Sequence, residues 1–168
     1  ELAVVPESAA ALKPANLDFV QAASIPMVGL TSWQALKERI GLRAEQKMFI
    51  PAGSGGIGTF AIQLAKLLGA KVGTTTSTGN VDLVRSLGAD EVVDYKKQAF
   101  ETVLRDYDAA LGTVRGDSIE KSIGILKPRG KIVSLVGPLD VAFARARRAN
   151  VVLTVVFALM SRKIKGLA

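Results

Sequence analysis

The sequence predicts an α/β domain built on a Rossmann-type, doubly wound parallel sheet. Short β-rich runs alternate with helical patterns from Met48 onward, which is typical of βαβ units. A glycine-rich segment stands between the first of these runs and the clearest helical pattern. With 168 residues, 49% of them hydrophobic, the chain is long enough to bury one substantial core. We expect one main domain with an irregular N-terminal connection and a C-terminal helical extension.

Five strands and four crossover helices are expected between Met48 and Val136. The predicted strands are Met48–Ala52, Lys71–Thr76, Glu91–Asp94, Tyr107–Val114 and Lys131–Val136. The predicted helices between them are Ile57–Leu68, Asn80–Leu87, Gln98–Arg105 and Asp117–Leu126. In the first of these helices hydrophobic residues recur at spacings of three and four, so its apolar stripe is expected to pack on the sheet.

The two ends of the chain differ from this pattern. Prolines punctuate residues 1–46, which we expect to be an irregular connection from a preceding domain, with a helix from Thr31 to about Ile40. The apolar run at 149–160 is rich in β-branched residues, which favours a strand. Hydrophobic residues from Leu153 onward also keep helical spacing, and we predict a helix. The run is too short to span a bilayer, although a helix lying on a membrane surface stays an alternative.

Composition narrows the chemistry. The chain has no cysteine and no histidine, which removes thiolate nucleophiles, imidazole bases and the usual zinc ligands, so no metal site is expected. The lack of cysteine agrees with a cytoplasmic location. The net charge is +7, but six basic residues and no acid in 141–168 account for nearly all of the excess. A basic groove for nucleic acid is therefore not indicated.

The segment from Phe49 to Gly58 is the candidate binding motif. It contains G-x-G-x-x-G as Gly53, Gly55 and Gly58 between a predicted strand and a predicted helix. Such a turn lets the backbone approach a pyrophosphate and places its charge at the positive end of the helix. The alternative is a glycine-rich turn that serves only to reverse the chain.

The end of the second predicted strand indicates which dinucleotide is bound. A domain that binds NADH usually has an acidic residue there for the ribose 2′-hydroxyl. Residues 74–80 instead read TTTSTGN, whose hydroxyl and amide groups, those of Thr76, Ser77 and Asn80 among them, suit a 2′-phosphate. The sequence therefore favours NADPH as the cofactor and disfavours S-adenosylmethionine, which commonly requires that acid.

Four blocks in order identify a family resemblance. They are IPMVGLTSWQAL at 25–36, PAGSGGIGTFAIQLAK at 51–66, SLGADEVVDY at 86–95 and LKPRGKIVSLVGP at 126–138. With these blocks the chain resembles the medium-chain dehydrogenase/reductase superfamily, specifically its zinc-independent quinone oxidoreductase and enoyl reductase branch. Zinc-dependent relatives have a cysteine ligand near Ile25–Thr31, where this chain has Met27.

The resemblance implies three segments and their roles. Residues 1–46 would join a GroES-like catalytic domain that is missing here, 47–138 would bind the dinucleotide, and 139–168 would be a helical insertion before a final strand. It implies pyrophosphate contacts at the turn and a 2′-phosphate pocket beside it. The cofactor-binding residues expected in all are Thr31, Ser54, Gly55, Gly56, Ile57, Gly58, Thr76, Ser77, Asn80, Tyr95, Val136 and Gly137, of which Thr31, Val136 and Gly137 would lie near the nicotinamide.

By the same resemblance, NADPH would transfer a hydride to a quinone or to the β-carbon of an α,β-unsaturated carbonyl, a small-molecule substrate. No catalytic residue is assigned, and a homodimer is common among relatives. The loop GTVRG at 112–116 lacks the acid of many relatives and gains Arg115, which puts its usual contacts in doubt. Two alternatives stay open, the cofactor domain of a zinc-dependent alcohol dehydrogenase and a non-catalytic NADPH-binding module.

Overall fold

A five-stranded parallel sheet lies at the centre of the computed structural model, which describes residues 3–136. The strands are β1 (Lys47–Ile50), β2 (Lys71–Thr76), β3 (Glu91–Asp94), β4 (Tyr107–Gly112) and β5 (Leu126–Ser134). Their spatial order is β3-β2-β1-β4-β5, which confirms the predicted doubly wound sheet. Ligands of such sheets bind at the carboxyl ends of the strands, near the point where the order reverses. Gly137 and the helical extension predicted at 139–168 lie outside the described residues.

Six α-helices occur in the described part of the chain. They are α1 (Phe19–Ala23), α2 (Ile25–Trp33), α3 (Gly56–Leu67), α4 (Val81–Ser86), α5 (Phe100–Val103) and α6 (Ser118–Gly124). A π-helical segment, Gln34–Ile40, continues α2, and single 3₁₀ turns occur at Glu7–Ala9 and Thr78–Asn80. Between residues 3 and 136 no helix combines the length and the apolar character needed to cross a membrane.

The N-terminal connection is more helical than predicted. The helix expected from Thr31 begins six residues earlier, at Ile25, and Pro26 lies in its first turn, where a missing N–H leaves no hydrogen bond unmade. Helix α1 was not predicted. Its capping box explains it, because the Gln21 N–H donates to Asp18 Oδ1 at 2.7 Å and the Asp18 N–H donates to Gln21 Oε1 at 3.1 Å.

Two later elements also differ from the prediction. The helix predicted at Gln98–Arg105 shortens to the four residues of α5, because Ala99 and Leu104 at its two ends have extended backbone. Strand β5 begins at Leu126, five residues before the predicted start at Lys131. The additional residues form an irregular stretch whose pairing with β4 shifts in register.

Both faces of the sheet are buried, as the strand β1 illustrates. Met48 and Ile50 belong to one core cluster, which includes the apolar stripe of α3. Phe49, which alternates with them, belongs to a second cluster together with Leu104 and Tyr107. A doubly wound sheet is covered on both faces, so successive side chains of β1 are buried in different core clusters.

The Tyr107 side chain crosses the sheet on one of these faces. Its ring packs edge-on against Phe49 of β1, with centroids 5.8 Å apart. Its hydroxyl reaches β2, where a Cβ added to Gly73 would lie only 1.9 Å from Tyr107 Oη. Residue 73 therefore has to be glycine as long as residue 107 is tyrosine.

Candidate cofactor-binding site

The glycine-rich turn between β1 and α3 is fixed to the end of β2. The Ala52 N–H donates to Thr75 Oγ1 at 3.0 Å, and the Gly53 N–H donates to the Thr75 carbonyl at 2.9 Å. Within the turn the Gly55 N–H donates to the Ala52 carbonyl at 2.9 Å. Ala52 has φ +54°, a left-handed conformation that turns the chain sharply out of β1. The turn is therefore held in one shape at the carboxyl edge of the sheet.

Two of the three motif glycines are required by close packing. A Cβ on Gly58 would lie 2.4 Å from the Ala52 carbonyl oxygen, and one on Gly53 would lie 2.1 Å from Thr74 Oγ1. By contrast, a Cβ on the exposed Gly56 would meet no atom closer than 3.6 Å. Close packing thus accounts for Gly53 and Gly58, whereas it gives no reason for the absence of a side chain at Gly56.

The start of α3 offers free donors to an anion. Gly55 is the N-cap residue of this 12-residue helix and makes no side-chain capping hydrogen bond. The N–H groups of Gly56, Ile57 and Gly58 lie in the first turn, where they have no intrahelical acceptor. The helix dipole adds positive potential at the same point. This end of α3 can receive a phosphate group.

Side chains from the turn and from the end of β2 converge beside this helix start. Thr76 Oγ1 donates to Ser54 Oγ at 2.9 Å, and Asn80 Nδ2 lies 3.4 Å from Ser54 Oγ and 3.2 Å from Ser77 Oγ. Ser54 accepts these hydrogen bonds, so its own hydroxyl hydrogen can be donated elsewhere. We call Ser54, Thr76, Ser77 and Asn80 the hydroxyl-amide cluster. Thr76 is 1% exposed and forms its base, whereas the other three are half-buried.

A carboxylate that the sequence did not reveal lies beside this cluster. The parallel register pairs Thr76 with Asp94, at the end of β3. Thr78 Oγ1 donates to Asp94 Oδ2 at 2.7 Å, and this hydrogen bond is the main reason why the pKa of Asp94 lies below its usual value. Lys97 Nζ lies 3.8 Å from the same oxygen. The carboxylate is therefore paired both with a hydroxyl group and with a cation that follows β3.

Tyr95 follows β3 and is one of the residues that line a cavity. Its N–H donates to the Thr76 carbonyl at 3.1 Å, while its side chain is 59% exposed. The cavity has a volume of about 490 Å³ and extends from the glycine-rich turn to α5 and α6, with Pro51, Phe100 and Val114 among its apolar walls. A flat heteroaromatic ring suits such walls. No sequence pattern pointed to this cavity, because its walls come from four separate segments.

The residues expected near the nicotinamide stand apart from the cluster. Thr31 is half-buried in α2, and its hydroxyl donates to the Met27 carbonyl at 2.7 Å. Val136 follows β5, and its N–H donates to Ser134 Oγ at 3.3 Å. No hydrogen bond among the described residues joins Thr31 or Val136 to the hydroxyl-amide cluster.

Within 3–136 no three acidic residues come together as a set that could hold a metal ion, and the chain has no histidine or cysteine to add to one.

A parallel sheet with a reversed strand order, a fixed glycine turn and an open helix start at its carboxyl edge define a Rossmann-like α/β domain. The family model described as zinc-binding dehydrogenase matches residues 56–152, more than half of the chain. The chain belongs to this family.

Curated relatives carry oxidoreductase names. The chain is 40% identical over 139 residues to a 2-methylene-furan-3-one reductase of Solanum lycopersicum, with 82% of this chain and 35% of the relative covered. The same identity and coverage relate it to an NADPH-dependent alkenal/one oxidoreductase, chloroplastic, of Arabidopsis thaliana. The chain thus spans about a third of the length of these relatives.

Solved structures agree with this placement. The quinone oxidoreductase from Coxiella burnetii superposes with a TM-score of 0.71 at 31% identity, over 91% of this chain and 52% of that one. The resemblance to the quinone and enoyl reductase branch of the medium-chain superfamily is thereby confirmed, as is the α/β fold.

Proposed function

We propose that this chain is the cofactor-binding part of an NADPH-dependent oxidoreductase that reduces a quinone or an α,β-unsaturated carbonyl. The observation that carries the proposal is the hydroxyl-amide cluster beside the uncapped start of α3. Side-chain hydroxyl and amide groups lie there next to backbone N–H groups, and both kinds of group can donate hydrogen bonds to phosphate. The names of the relatives support the reaction class. When bound, NADPH supplies a hydride from its nicotinamide ring.

The pyrophosphate is assigned to the start of α3. Ser54, Gly55, Gly56, Ile57 and Gly58 would hold it through backbone N–H groups and the Ser54 hydroxyl. The bare surface at Gly56 fits this role, since a side chain there would cover the donors. A group with two negative charges also gains from the dipole of a helix of this length.

The 2′-phosphate is assigned to Ser77, Asn80 and Tyr95. The amide of Asn80 and the two hydroxyl groups are neutral donors, and no carboxylate lies at the end of β2. Asp94 is the nearest acid in the register, and its pairing with Thr78 and Lys97 supports a pocket that tolerates a dianion. Thr76, which is buried, would act by orienting Ser54 rather than by contact.

The nicotinamide side and the substrate depend on residues of the longer protein. Thr31, Val136 and Gly137 are proposed as neighbours of the nicotinamide, on the strength of the family resemblance. We also propose a reaction without zinc, supported by Met27 in place of a cysteine ligand and by the lack of histidine. The homodimer and the cytoplasmic location stay predictions, and the relatives include proteins named as chloroplastic and mitochondrial.

A fluorescence titration with NADPH and NADH tests the cofactor. The full-length protein should bind NADPH at least tenfold more tightly, about 1.4 kcal/mol, because only NADPH carries the 2′-phosphate. Equal affinities would overturn the 2′-phosphate pocket, and no binding of either would overturn the cofactor site itself.

A turnover assay tests the reaction. Full-length protein saturated with NADPH should reduce a short enone or a benzoquinone at a rate above background, and its zinc content should be well below one ion per chain. Tight NADPH binding without turnover of either substrate class would favour the non-catalytic module. Stoichiometric zinc would favour the alcohol dehydrogenase alternative.

A further inference from the structure

A second cavity lies at the opposite, amino-terminal edge of the sheet. It has a volume of about 370 Å³, and its walls come from the end of the π-helical segment, the loop before β1, the start of β4 and the start of β5. The four residues of β1 alone span roughly 13 Å at about 3.3 Å per residue, so this cavity is separate from the glycine-rich turn. Nothing in the proposed function uses it.

An irregular stretch of β5 forms one wall of this cavity. The pairing with β4 runs from Tyr107 opposite Leu126 directly to Ala109 opposite Lys131. Residues 127–130 are therefore looped out of the ladder. Bulged strands re-aim side chains, and they are common next to binding sites.

Arg129 stands at the tip of this loop in an unfavourable backbone conformation. Its φ is +67°, in the left-handed region that L side chains with a Cβ disfavour. Glycine would fit this conformation with no steric cost, yet the position holds a long cation. Strained conformations of this kind cluster at ligand sites, and Arg129 is one of the residues that line the cavity.

The cavity carries an excess of positive charge. Its lining contains Arg43, Lys127, Arg129 and Lys131 against the single carboxylate of Asp108, which is a net formal charge of +3. That carboxylate is already engaged, since Oδ1 accepts from Lys127 Nζ at 2.8 Å and Oδ2 accepts from the Lys47 N–H at 2.8 Å.

Three of the cations make no ion pair with another residue in 3–136, and one of these three still has a hydrogen-bond acceptor. Lys131 Nζ donates to the Ile40 carbonyl at 2.9 Å. The guanidinium groups of Arg43 and Arg129, in contrast, make no hydrogen bond or ion pair with any residue between 3 and 136. Both arginines are exposed residues of the cavity lining, and a guanidinium group offers the paired N–H donors that match phosphate oxygens.

We propose that this cavity binds a small anion with two or more negative charges, of the phosphate or pyrophosphate class, through Arg43 and Arg129. Lys131 adds a third cation at the rim, and Lys127 holds Asp108 away from the anion. A concave site with a few cations suits a small ligand, whereas an extended polymer is bound along a longer row of cations.

Calorimetric titration with inorganic pyrophosphate tests the site. The full-length protein is first saturated with NADPH, so that pyrophosphate has no access to the start of α3. Saturable 1:1 binding that weakens as salt is raised is the expected result. Absence of saturable binding would overturn the proposal, whatever the outcome of the NADPH titration.

The variant Arg129→Gly separates binding from folding. It removes one guanidinium and also relieves the left-handed backbone, so affinity for pyrophosphate should fall at least tenfold while the melting temperature stays equal or rises. Arg43→Gln should reduce affinity to a similar degree. The matched control is Arg85→Gln, an exposed arginine of α4 outside the cavity, which should leave affinity unchanged.

Two further outcomes count against the site. An equal loss of affinity in Arg85→Gln and Arg129→Gly would mean that the affinity for pyrophosphate depends only on the net charge of the protein. Binding of a single-stranded oligonucleotide or an acidic peptide that depends on Arg129, without any binding of pyrophosphate, would replace the small anion by a macromolecular partner.

Discussion

The two edges of the sheet satisfy their polar groups in different ways. At the amino-terminal edge most charged groups are paired with one another inside the chain. The pairs are Lys47–Glu91 at 2.9 Å, Lys66–Asp90 at 2.9 Å, Lys127–Asp108 at 2.8 Å and Lys71–Glu45 at 3.3 Å. At the carboxyl edge the site consists of neutral donors and backbone N–H groups, and α3 begins without a cap. Ion pairs therefore link the elements at the first edge, where three cations of the second cavity stay unpaired within residues 3–136, whereas the second edge offers neutral donors to a ligand.

This comparison predicts that the carboxyl edge is sensitive to shape. We expect Gly58→Ala to lower the free energy of unfolding by about 3 kcal/mol, because its Cβ would lie 2.4 Å from the Ala52 carbonyl oxygen, a backbone atom that cannot move away easily. Urea unfolding measures this. Gly79→Ala is the control, since a Cβ there meets no atom within 4 Å, and an equal loss in both variants would contradict the packing argument.

The same edge should be sensitive to charge. Asn80→Asp keeps the shape of the side chain but replaces an amide donor with a carboxylate, so NADPH affinity should fall about 30-fold, roughly 2 kcal/mol. NADH lacks the 2′-phosphate and serves as the internal control, with a change of less than about threefold expected. A parallel loss for both nucleotides in a fluorescence titration would remove Asn80 from the 2′-phosphate pocket.

At the amino-terminal edge the paired carboxylates should contribute to stability in a pH-dependent way. Partial burial of Asp108 acts to raise its pKa, but the hydrogen bonds from Lys127 and from the Lys47 N–H outweigh it and hold the pKa below the ordinary 3.8. A lowered folded-state pKa gives stability that is present above about pH 4 and is lost as the pH falls through the folded value.

Asp108→Asn tests this dependence. The variant should be about 1 kcal/mol less stable than the wild type at pH 7, and the difference should be smaller at pH 2.5, because the wild-type carboxylate gains its proton as the pH falls through its lowered pKa. Urea unfolding at the two pH values measures the difference. A stability difference that does not vary with pH would show that the loss comes from packing instead of charge.

The smallest effect is expected at the exposed pair of the same edge. Glu45 and Lys71 are separated by 3.3 Å, but their side chains are 80% and 59% exposed. We expect Glu45→Gln to change the free energy of unfolding by less than about 0.5 kcal/mol, because water screens the pair. Thermal unfolding at low and high salt measures the change. A larger loss of stability would mean that this pair contributes more to the free energy of unfolding than is expected for an exposed ion pair.

The sequence predicted those parts of the fold that local patterns encode. The apolar stripe of α3 and the glycine turn follow from spacing along a few residues, and both were found where expected. The predicted start of α2 was wrong because Pro26 was interpreted as a helix breaker, although proline is accommodated in the first turn of a helix. The predicted length of α5 was wrong because the backbone becomes extended at Leu104 and ends that helix.

The candidate site could be predicted only in part, because it combines residues that lie far apart in the sequence. Ser54 lies 22 residues from Thr76 and 26 from Asn80, and the structure places both of these side chains within hydrogen-bond distance of Ser54 Oγ. The roles of all three toward a cofactor stay predictions. Asp94 was missed because its position depends on the register of β3 against β2, which no local pattern gives. The cavity beside Tyr95 was missed because it is assembled from separate segments.

The position of Tyr107 has a consequence for the evolution of this domain. Its hydroxyl occupies the space that a side chain at residue 73 would need, two strands away across β1. A mutation from glycine at 73 is therefore tolerated only in a lineage that has already shortened residue 107. Homologous sequences should show these two positions changing together, with glycine opposite tyrosine and larger residues opposite smaller ones, although the two lie 34 residues apart along the chain.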